Sequence, residues 1–331
     1  MVDYKNIHYA GKQNNIALTT LGLGCLSIGW YRKYMQKEDA VELIHKTLQR
    51  GIRFFDTSPL YGALESEWRL GYALESSGVK REDYTIATKT GYDVTGYAPD
   101  FTMPPEFPPR FYDYDFTMRS IEGSLKRLRT DYIDIVHIHD ADDDEMFQAA
   151  MNGAYKALEK LRDQGVIRGI GVGNNYAKRM AAFAKAGDFD AFLCAGRYSL
   201  LDHDTFLEEV QELAEQKNIA ITAGGTFSSG LASNPYAEAP FFNYLPAEPD
   251  MIQKAQAMDQ ICQKYDATLR DAAAQFPSFN PVVKSIVLGV GSVEHLDSNI
   301  ESMNKDLPAA LWQELKGKGY IHPNAPVPGD K

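Results

Sequence analysis

Two kinds of segment alternate regularly along this 331-residue chain. Short apolar or β-branched runs typical of buried strands occur at residues 21–23, 53–55, 84–87, 133–136, 166–172, 191–194, 219–222 and 285–288. Amphipathic segments with helical spacing lie between and after them, at residues 40–50, 66–75, 118–129, 155–164, 176–186, 206–216 and 251–265. Strict alternation of strand and helix predicts parallel strands, either in an open doubly wound sheet or in a closed barrel.

The spacing of the units and the turn after the first strand favour the barrel. The eight units are spread evenly, with no break in composition and no linker. A dinucleotide-binding open sheet would carry G-x-G-x-x-G at this turn, but in residues 22–29 the third glycine comes too late. We therefore predict an α/β fold, a single (β/α)8 TIM barrel domain over residues 1–331, with functional groups at the strand ends.

Charge and cysteine content exclude several classes of function. The formal net charge is −11, and no run of Lys and Arg is present, which excludes a nucleic-acid partner. The cysteines Cys25, Cys194 and Cys262 are far apart, as in a reducing cytosol rather than in a disulfide or zinc scaffold. No segment approaches the roughly 20 apolar residues of a membrane span. We expect a cytoplasmic protein whose partner is a small molecule, not nucleic acid or membrane.

A long loop follows the third predicted strand. Residues 92–115 are rich in proline and aromatic residues, and this length exceeds that of the usual connection between strand and helix. Long loops at a barrel mouth often carry function, which predicts a wall of the substrate pocket. The alternative is a rigid surface loop whose aromatic side chains pack on the barrel rim.

Polar side chains stand at the ends of consecutive predicted strands. Asp56, Lys89 and His139 end the second, third and fourth strands, and Tyr61 follows on the loop after Asp56. Because parallel strands open at the same face, we expect these side chains to lie together. A tyrosine with a pKa of about 10 is a poor acid or base at neutral pH. An ammonium about 4 Å away would contribute roughly 4 kcal/mol and lower the tyrosine pKa by about three units.

This set predicts proton transfer at a carbonyl or carbinol oxygen while another group moves hydride. Asp56 would keep Lys89 charged, and His139 would bond the substrate oxygen. Each residue alone also has a structural interpretation, as a turn cap, an ion-pair partner or a buried rim histidine. The joint occurrence at adjacent strand ends favours function. The acidic run at residues 140–145 is interpreted as the solvated start of a helix.

Two other classes of function remain open. His137 and His139 on one strand face, with Asp56, Asp140 and His203, suggest a metal-dependent barrel hydrolase. Only the two strand histidines have ligand spacing, however, and the tyrosine and lysine would then have no role, so we expect no metal site. The third class is a sensor on the same barrel, which would bind a dinucleotide without turnover.

Four ordered motifs resemble the aldo-keto reductase superfamily over nearly the whole chain. They are Gly-Ile-Arg-Phe-Phe-Asp-Thr-Ser-Pro-Leu-Tyr-Gly at 51–62, Ala-Thr-Lys-Thr at 87–90, Leu-Lys-Arg-Leu-Arg-Thr-Asp-Tyr-Ile-Asp at 125–134 and Gly-Val-Ile-Arg-Gly-Ile-Gly-Val-Gly-Asn at 165–174. The resemblance implies a nicotinamide-dependent barrel enzyme. It also implies that the catalytic tetrad consists of Asp56, Tyr61, Lys89 and His139.

Within the superfamily, residues 137–140 and 195–201 are most similar to the branch of D-threo-aldose 1-dehydrogenase (L-fucose dehydrogenase) and pyridoxal 4-dehydrogenase. This similarity implies oxidation of the anomeric C1 hydroxyl of a free, L-fucose-like aldose to the lactone. Pyridoxal oxidation or general aldehyde and ketone reduction is the alternative. We expect substrate contacts from Trp30, Tyr92 and Arg197, with Trp30 offering a flat face to a sugar ring.

The resemblance also implies where the dinucleotide binds. Asn174 would hold the nicotinamide carboxamide, and the loop after the seventh strand would wrap the pyrophosphate with Thr226, Phe227, Ser228, Gly230 and Leu231. Backbone amides at a helix start attract phosphate, which independently indicates Gly289, Gly291 and Ser292 after the eighth strand. Further cofactor contacts are expected at Gly24, Cys25, His295, Ser298 and Asn299.

The charges of the loop after the eighth strand predict which dinucleotide binds. A 2′-phosphate normally needs Arg or Lys, and relatives that use NADPH supply both here. This chain has Gly289 and His295, beside Glu294 and Asp297. A mostly neutral imidazole is a poor phosphate ligand at neutral pH. We therefore expect NAD rather than NADP.

Overall fold

A closed barrel of parallel strands forms the centre of the computed structural model, which describes residues 2–29, 35–97 and 107–330. The strands are β1 (Ile7–Ala10), β2 (Ile16–Thr19), β3 (Leu21–Gly24), β4 (Phe54–Asp56), β5 (Thr85–Thr90), β6 (Ile133–His139), β7 (Ile167–Asn174), β8 (Ala191–Ala195), β9 (Ala220–Gly224), β10 (Phe241–Phe242), β11 (Leu245–Pro246) and β12 (Val283–Gly289). The barrel order β12-β3-β4-β5-β6-β7-β8-β9 confirms the predicted (β/α)8 fold.

Helices surround the barrel. They are α1 (Lys37–Gln49), α2 (Glu65–Ser76), α3 (Tyr114–Leu128), α4 (Asp144–Ala149), α5 (Tyr155–Asp163), α6 (Ala177–Ala186), α7 (Asp204–Glu209), α8 (Gln211–Lys217), α9 (Pro249–Gln263), α10 (Leu269–Gln275), α11 (Val293–Asn304) and α12 (Ala309–Gly317). A π-helical segment, Ala150–Ala154, joins α4 to α5. None of the described helices combines the length and the apolar character needed to cross a bilayer.

Barrel strands are buried on both faces, which is why they read as nearly continuous apolar runs in the sequence. Every residue of β6 is buried, including His137 and His139. The adjacent strand β7 approaches β6 closely at Gly171, where an added Cβ would lie 2.2 Å from His137 Nδ1. Glycine at that position therefore makes room for a histidine ring inside the barrel.

An N-terminal hairpin closes the end of the barrel at which the strands begin. Strands β1 and β2 pair antiparallel, and the fully buried Ile16 and Leu18 join Phe54, Ile135 and Leu193 in one apolar cluster. Burial of such a side chain contributes about 1.5–3 kcal/mol. This hairpin was not predicted from the sequence. Because it covers one end, the opposite end, where Asp56 and Lys89 lie, is left for ligands.

Helix boundaries differ from the predicted ones where capping residues decide them. Helix α3 begins at Tyr114 rather than at residue 118, because the Asp113 carboxylate accepts a 2.8 Å hydrogen bond from the Phe116 amide. The predicted helix at 206–216 is divided into α7 and α8 at Val210. Helices α10 and α12 fall outside every predicted segment. Both are short, so their apolar periodicity is weak.

The predicted long loop after β5 is present, and its two arms are joined near the barrel. Tyr92 and Arg110 form an antiparallel bridge, the Asp93 amide donates to Pro109 O at 2.8 Å, and the Phe111 amide donates to Gly91 O at 2.7 Å. Residues 98–106 lie outside the described part of the chain. The arms hold Tyr92 at the mouth of the barrel.

Candidate active site

Three neighbouring strands bring charged and polar side chains together at the open end of the barrel. Lys89 Nζ, from β5, donates to Asp56 Oδ1 at 2.9 Å, to Asp56 Oδ2 at 2.7 Å and to Thr57 O at 2.7 Å. Lys89 is 1% exposed and Asp56 is 4% exposed. A buried ammonium that donates to three oxygens is held in one position, so this ion pair is a rigid part of the site.

Tyr61 reaches this ion pair from the loop after β4. The Ser58 hydroxyl accepts a 3.1 Å hydrogen bond from the Leu60 amide and shapes the turn. Gly62 follows with a φ of +63°, and a Cβ there would lie 1.8 Å from Gly29 O, so only glycine fits. Lys89 Nζ consequently lies 4.7 Å from the centroid of the Tyr61 ring.

His139, at the end of β6, completes the group of four predicted catalytic residues. Its ring meets the Tyr61 ring edge to face, with centroids 6.4 Å apart and an interplanar angle of 84°. Burial, followed by the charges of Lys89 and Arg110, lowers the pKa of His139 well below 6.5. The imidazole is therefore neutral at pH 7, with one N–H to donate and one nitrogen to accept.

The acidity of Tyr61 differs from the sequence-based expectation. We expected Lys89 to lower its pKa, but burial, followed by the charges of Asp56, Tyr244 and Asp140, raises the pKa of Tyr61 well above 10. The Lys89 ammonium donates to both oxygens of the Asp56 carboxylate, and the net effect of the site on the Tyr61 phenolate is unfavourable. Tyr61 is therefore a protonated phenol at neutral pH and is arranged as a proton donor.

Asp140 corrects the interpretation of the acidic run, because its side chain lies in the site rather than in solvent. The Tyr92 hydroxyl donates to Asp140 Oδ2 at 2.9 Å, and His139 Nε2 lies 3.6 Å from the same oxygen. Arg110 Nη1 donates to Asp140 O at 2.6 Å and also to Asp142 Oδ2 at 2.6 Å. Only from Asp143 onward does the acidic run form the start of a helix, because Asp143 caps α4. The sequence contained a signal for the placement of Asp140 in the site, because this carboxylate directly follows the histidine that ends β6.

A second hairpin, β10–β11, carries Tyr244 toward Tyr61, and the sequence analysis did not identify it. Asn243 and Tyr244 have φ values of 48° and 69° at the hairpin turn. The Tyr244 amide donates to Ser229 Oγ at 2.9 Å, and Asn243 Nδ2 donates to Asp202 Oδ2 at 3.3 Å. The hairpin is thus tied to the segments that follow β8 and β9.

The three predicted substrate contacts have different outcomes. Tyr92 lies at the site, with its ring edge to face against His139 and centroids 5.1 Å apart. Arg197 is held by two acceptors, since its Nε donates to Asn175 O at 2.7 Å and its Nη1 to Asp202 Oδ2 at 2.6 Å. Trp30 lies outside the described residues.

The predicted cofactor residues lie on the loops at this same end of the barrel. Gly24 and Cys25 follow β3, Asn174 ends β7, the segment from Thr226 to Leu231 follows β9, and Gly289 ends β12. Asn174 is engaged within the protein, since its Nδ2 donates to Asp142 Oδ1 at 3.1 Å. Ser292 caps α11 by accepting a 3.3 Å hydrogen bond from the His295 amide.

Several of these residues present unused polar atoms or open space. The buried Thr226 Oγ1 and Asn299 Nδ2 have no hydrogen-bond partner among the residues that the structure describes. A Cβ added at Gly230 or at Gly289 would meet no atom within 4 Å. Buried polar groups are normally paired, so unpaired ones beside open backbone indicate a missing ligand. We call the region between the loops after β9 and β12, where these atoms and glycines lie, the groove. Its unpaired polar atoms and open backbone fit a polar, extended molecule such as a dinucleotide.

The charges around α11 differ from those assumed in the sequence analysis. Asp297 is paired with Arg50, whose Nη2 donates to Asp297 Oδ2 at 2.6 Å. Arg270, from α10, places its guanidinium 4.9 Å from the Phe227 ring centroid and donates to Asn299 Oδ1 at 2.6 Å. No local motif marks Arg270, because it reaches the groove from a different helix.

Among the described residues, no group of three or more His, Cys, Asp or Glu side chains is arranged to hold a metal ion. His137 lies inside the barrel, 1% exposed and against Gly171. The alternative of a metal-dependent hydrolase therefore finds no ligand set in residues 2–29, 35–97 and 107–330.

Comparisons with known proteins agree with the geometry. A model of the family described as "Aldo/keto reductase family" matches residues 20–319. The chain is 32% identical to pyridoxal 4-dehydrogenase from Microbacterium luteolum, over 93% of this chain and 96% of that protein. It is 30% identical to D-threo-aldose 1-dehydrogenase from a Pseudomonas species, over 91% of this chain and 94% of that protein. The solved glycerol dehydrogenase from Gluconobacter oxydans has a similar fold, with a TM-score of 0.77, 20% identity and 99% coverage of both chains.

Proposed function

Because the chain belongs to the aldo/keto reductase family and is thus an oxidoreductase, we propose that it oxidises the C1 hydroxyl of a free aldose to the lactone. The proposed substrate is an L-fucose-like sugar. Support comes from D-threo-aldose 1-dehydrogenase, to which the chain is 30% identical over nearly its full length. The observation that carries the proposal is the Lys89–Asp56 ion pair beneath the Tyr61 ring, with His139 at its edge.

We assign one role to each of these side chains. Tyr61 holds or releases the proton of the substrate oxygen, because its ring lies 4.7 Å from Lys89 Nζ and edge to face against His139. His139, neutral at pH 7, donates its N–H to the same oxygen. Asp56 fixes Lys89, and Lys89 packs against the Tyr61 ring. The bound dinucleotide supplies the hydride acceptor.

The raised pKa of Tyr61 determines how the direction of reaction depends on pH. At neutral pH the phenol is protonated and suited to donate to a carbonyl oxygen, which supports reduction. Oxidation needs the phenolate as the proton acceptor, so the oxidation rate should rise with pH. We therefore expect lactone formation to be fastest in alkaline buffer.

The dinucleotide would lie in the groove formed by the loops after β9 and β12. Thr226 Oγ1 and Asn299 Nδ2 would find partners on it, and the backbone at Gly230 and Gly289 has room beside it. NAD is the preferred dinucleotide in our proposal because the loop after β12 contains no Lys or Arg.

Pyridoxal oxidation is the second candidate. The chain is 32% identical to pyridoxal 4-dehydrogenase. Tyr92 and Phe107 form a tilted ring pair, with centroids 6.1 Å apart, beside His139. Aromatic side chains at a site entrance suit a flat pyridine ring. A sugar can pack the C–H face of its ring on the same aromatic side chains. Because these side chains suit both substrates, an assay has to identify the substrate.

A substrate screen tests the proposal. Free aldoses and pyridoxal are incubated with NAD and with NADP, simple aldehydes are incubated with NADH and with NADPH, and absorbance is followed at the reduced nicotinamide band. We expect L-fucose-like aldoses with NAD to give the highest kcat/KM. Turnover of pyridoxal alone would favour the second candidate. Dinucleotide binding without any absorbance change would contradict both and favour a sensor.

A further inference from the structure

Arg270 is a half-buried cation without a carboxylate partner among the described residues. Its Nη2 donates to Asn299 Oδ1 at 2.6 Å, and its guanidinium lies 4.9 Å from the centroid of the Phe227 ring. Its buried Nε has no hydrogen-bond partner. Removing a charge from water is costly unless an opposite charge compensates, so buried charges are normally paired. Arg270 is therefore an exception that needs an explanation.

Arg50 shows what a compensated cation looks like at the other side of α11. Its Nη2 donates to Asp297 Oδ2 at 2.6 Å, and bonding to Asp297 raises the pKa of the Arg50 guanidinium. Burial instead lowers the pKa of Arg270, although Asp271 and Glu301 act in the opposite direction. The two arginines flank one helix, yet within residues 2–29, 35–97 and 107–330 only one of them has a paired counter-charge.

The neighbours of Arg270 indicate where the missing negative charge comes from. Phe227 belongs to the loop after β9, and Asn299 belongs to α11, which follows β12. These are the two segments between which the dinucleotide would lie, and Asn299 Nδ2 is itself unpaired. The anionic groups of a dinucleotide are its phosphates, and the planar guanidinium suits bidentate binding of phosphate.

We propose that Arg270 binds a phosphate group of the dinucleotide, with Phe227 and Asn299 holding its guanidinium in place. The inference rests on the proposed function only in requiring that the chain binds a nicotinamide dinucleotide. It adds a cation from α10 to a groove in which the loop after β12 has none. The half-buried guanidinium of Arg270 would donate to a phosphate oxygen.

Dissociation constants of the enzyme without substrate test the proposal, measured by calorimetry for NAD, NADP, ADP-ribose and adenosine. Loss of a charge-assisted hydrogen bond corresponds to about tenfold to a hundredfold in affinity. We expect Arg270→Gln to weaken the binding of NAD, NADP and ADP-ribose by this factor and to leave the binding of adenosine unchanged. Arg270→Lys, which keeps the charge, should lose less affinity for these three ligands than Arg270→Gln does. Equal losses for NAD and NADP assign the contact to the pyrophosphate, and a larger loss for NADP assigns it to the 2′-phosphate.

Arg50→Gln is the matched control, because it removes a cation of the same type from the same helix neighbourhood. Its affinities for NAD, ADP-ribose and adenosine, which carry no 2′-phosphate, should equal those of the wild type, and thermal unfolding should show that all variants are folded. Wild-type affinities retained in Arg270→Gln would overturn the inference while leaving the proposed function intact. A wild-type protein that binds none of the dinucleotides would overturn both.

Discussion

The proposed reaction centre and the proposed dinucleotide groove lie at the same end of one barrel, but they satisfy their polar groups in opposite ways. At the reaction centre, Lys89 donates to three oxygens within the protein. In the groove, the part of the chain that the structure describes offers no carboxylate to Arg270 and no partner to Thr226 Oγ1 or Asn299 Nδ2. The first region is therefore organised before any ligand binds, whereas the second is completed by its ligand.

The strongest loss of activity is expected from a substitution at the proposed reaction centre. Tyr61→Phe removes the only hydroxyl that we assign to proton transfer, and general acid–base catalysis contributes about a hundredfold to ten-thousandfold. We expect kcat to fall by about a thousandfold, while the NAD dissociation constant stays close to that of the wild type. Steady-state kinetics and calorimetry measure the two quantities. Near-normal turnover would remove Tyr61 from the mechanism.

Lys89→Met tests whether the ion pair is part of the folded framework. It leaves the Asp56 carboxylate buried without its partner, which typically costs about 3–5 kcal/mol of unfolding free energy. Urea denaturation measures this loss, and the double variant Asp56→Asn with Lys89→Met should recover much of it. Lys126→Met, which breaks the exposed Lys126–Glu122 pair, serves as the control and should leave stability unchanged. If Lys89→Met and Lys126→Met lost the same unfolding free energy, the contrast between the buried and the exposed ion pair would be wrong.

The pH dependence of turnover should come from the reaction centre and not from the groove. Because the pKa of Tyr61 is raised, the phenolate fraction is small at pH 7 and grows by about tenfold per pH unit below that pKa. We expect kcat/KM for oxidation to rise from pH 7 to pH 9, and reduction to stay flat over the same range. Initial rates in both directions measure this difference. A flat oxidation profile would show that another group accepts the proton.

A small change in stability is expected from a substitution at one of the unpaired groups of the groove. Thr226→Val replaces a buried hydroxyl that has no partner with a methyl group of the same shape. Because an unsatisfied buried polar group costs about 1–3 kcal/mol, the ligand-free variant should be about 1 kcal/mol more stable than the wild type. Its affinity for NAD should fall. A less stable variant would mean that Thr226 Oγ1 already has a partner without the ligand.

Much of the reaction centre was predictable from the sequence, because its geometry follows from local patterns. The alternation of strand-like and helical segments predicted every barrel strand within a few residues. Once the strands are parallel, Asp56, Lys89 and His139 at their C-terminal ends must open at one face. The proton affinity of Tyr61 was not predictable in this way. It depends on burial and on the pairing of Lys89 with Asp56, which a list of residues does not contain.

The order and period of neighbouring residues are enough to predict the architecture and the residues at the strand ends, because both are local properties of the chain. The tertiary structure alone decided that the β1–β2 hairpin closes the barrel, that Asp140 faces the site and that Arg270 meets Phe227 and Asn299. These contacts join segments far apart in the chain. Their energies come from desolvation and from the pairing of charges, which are defined only when the chain is folded.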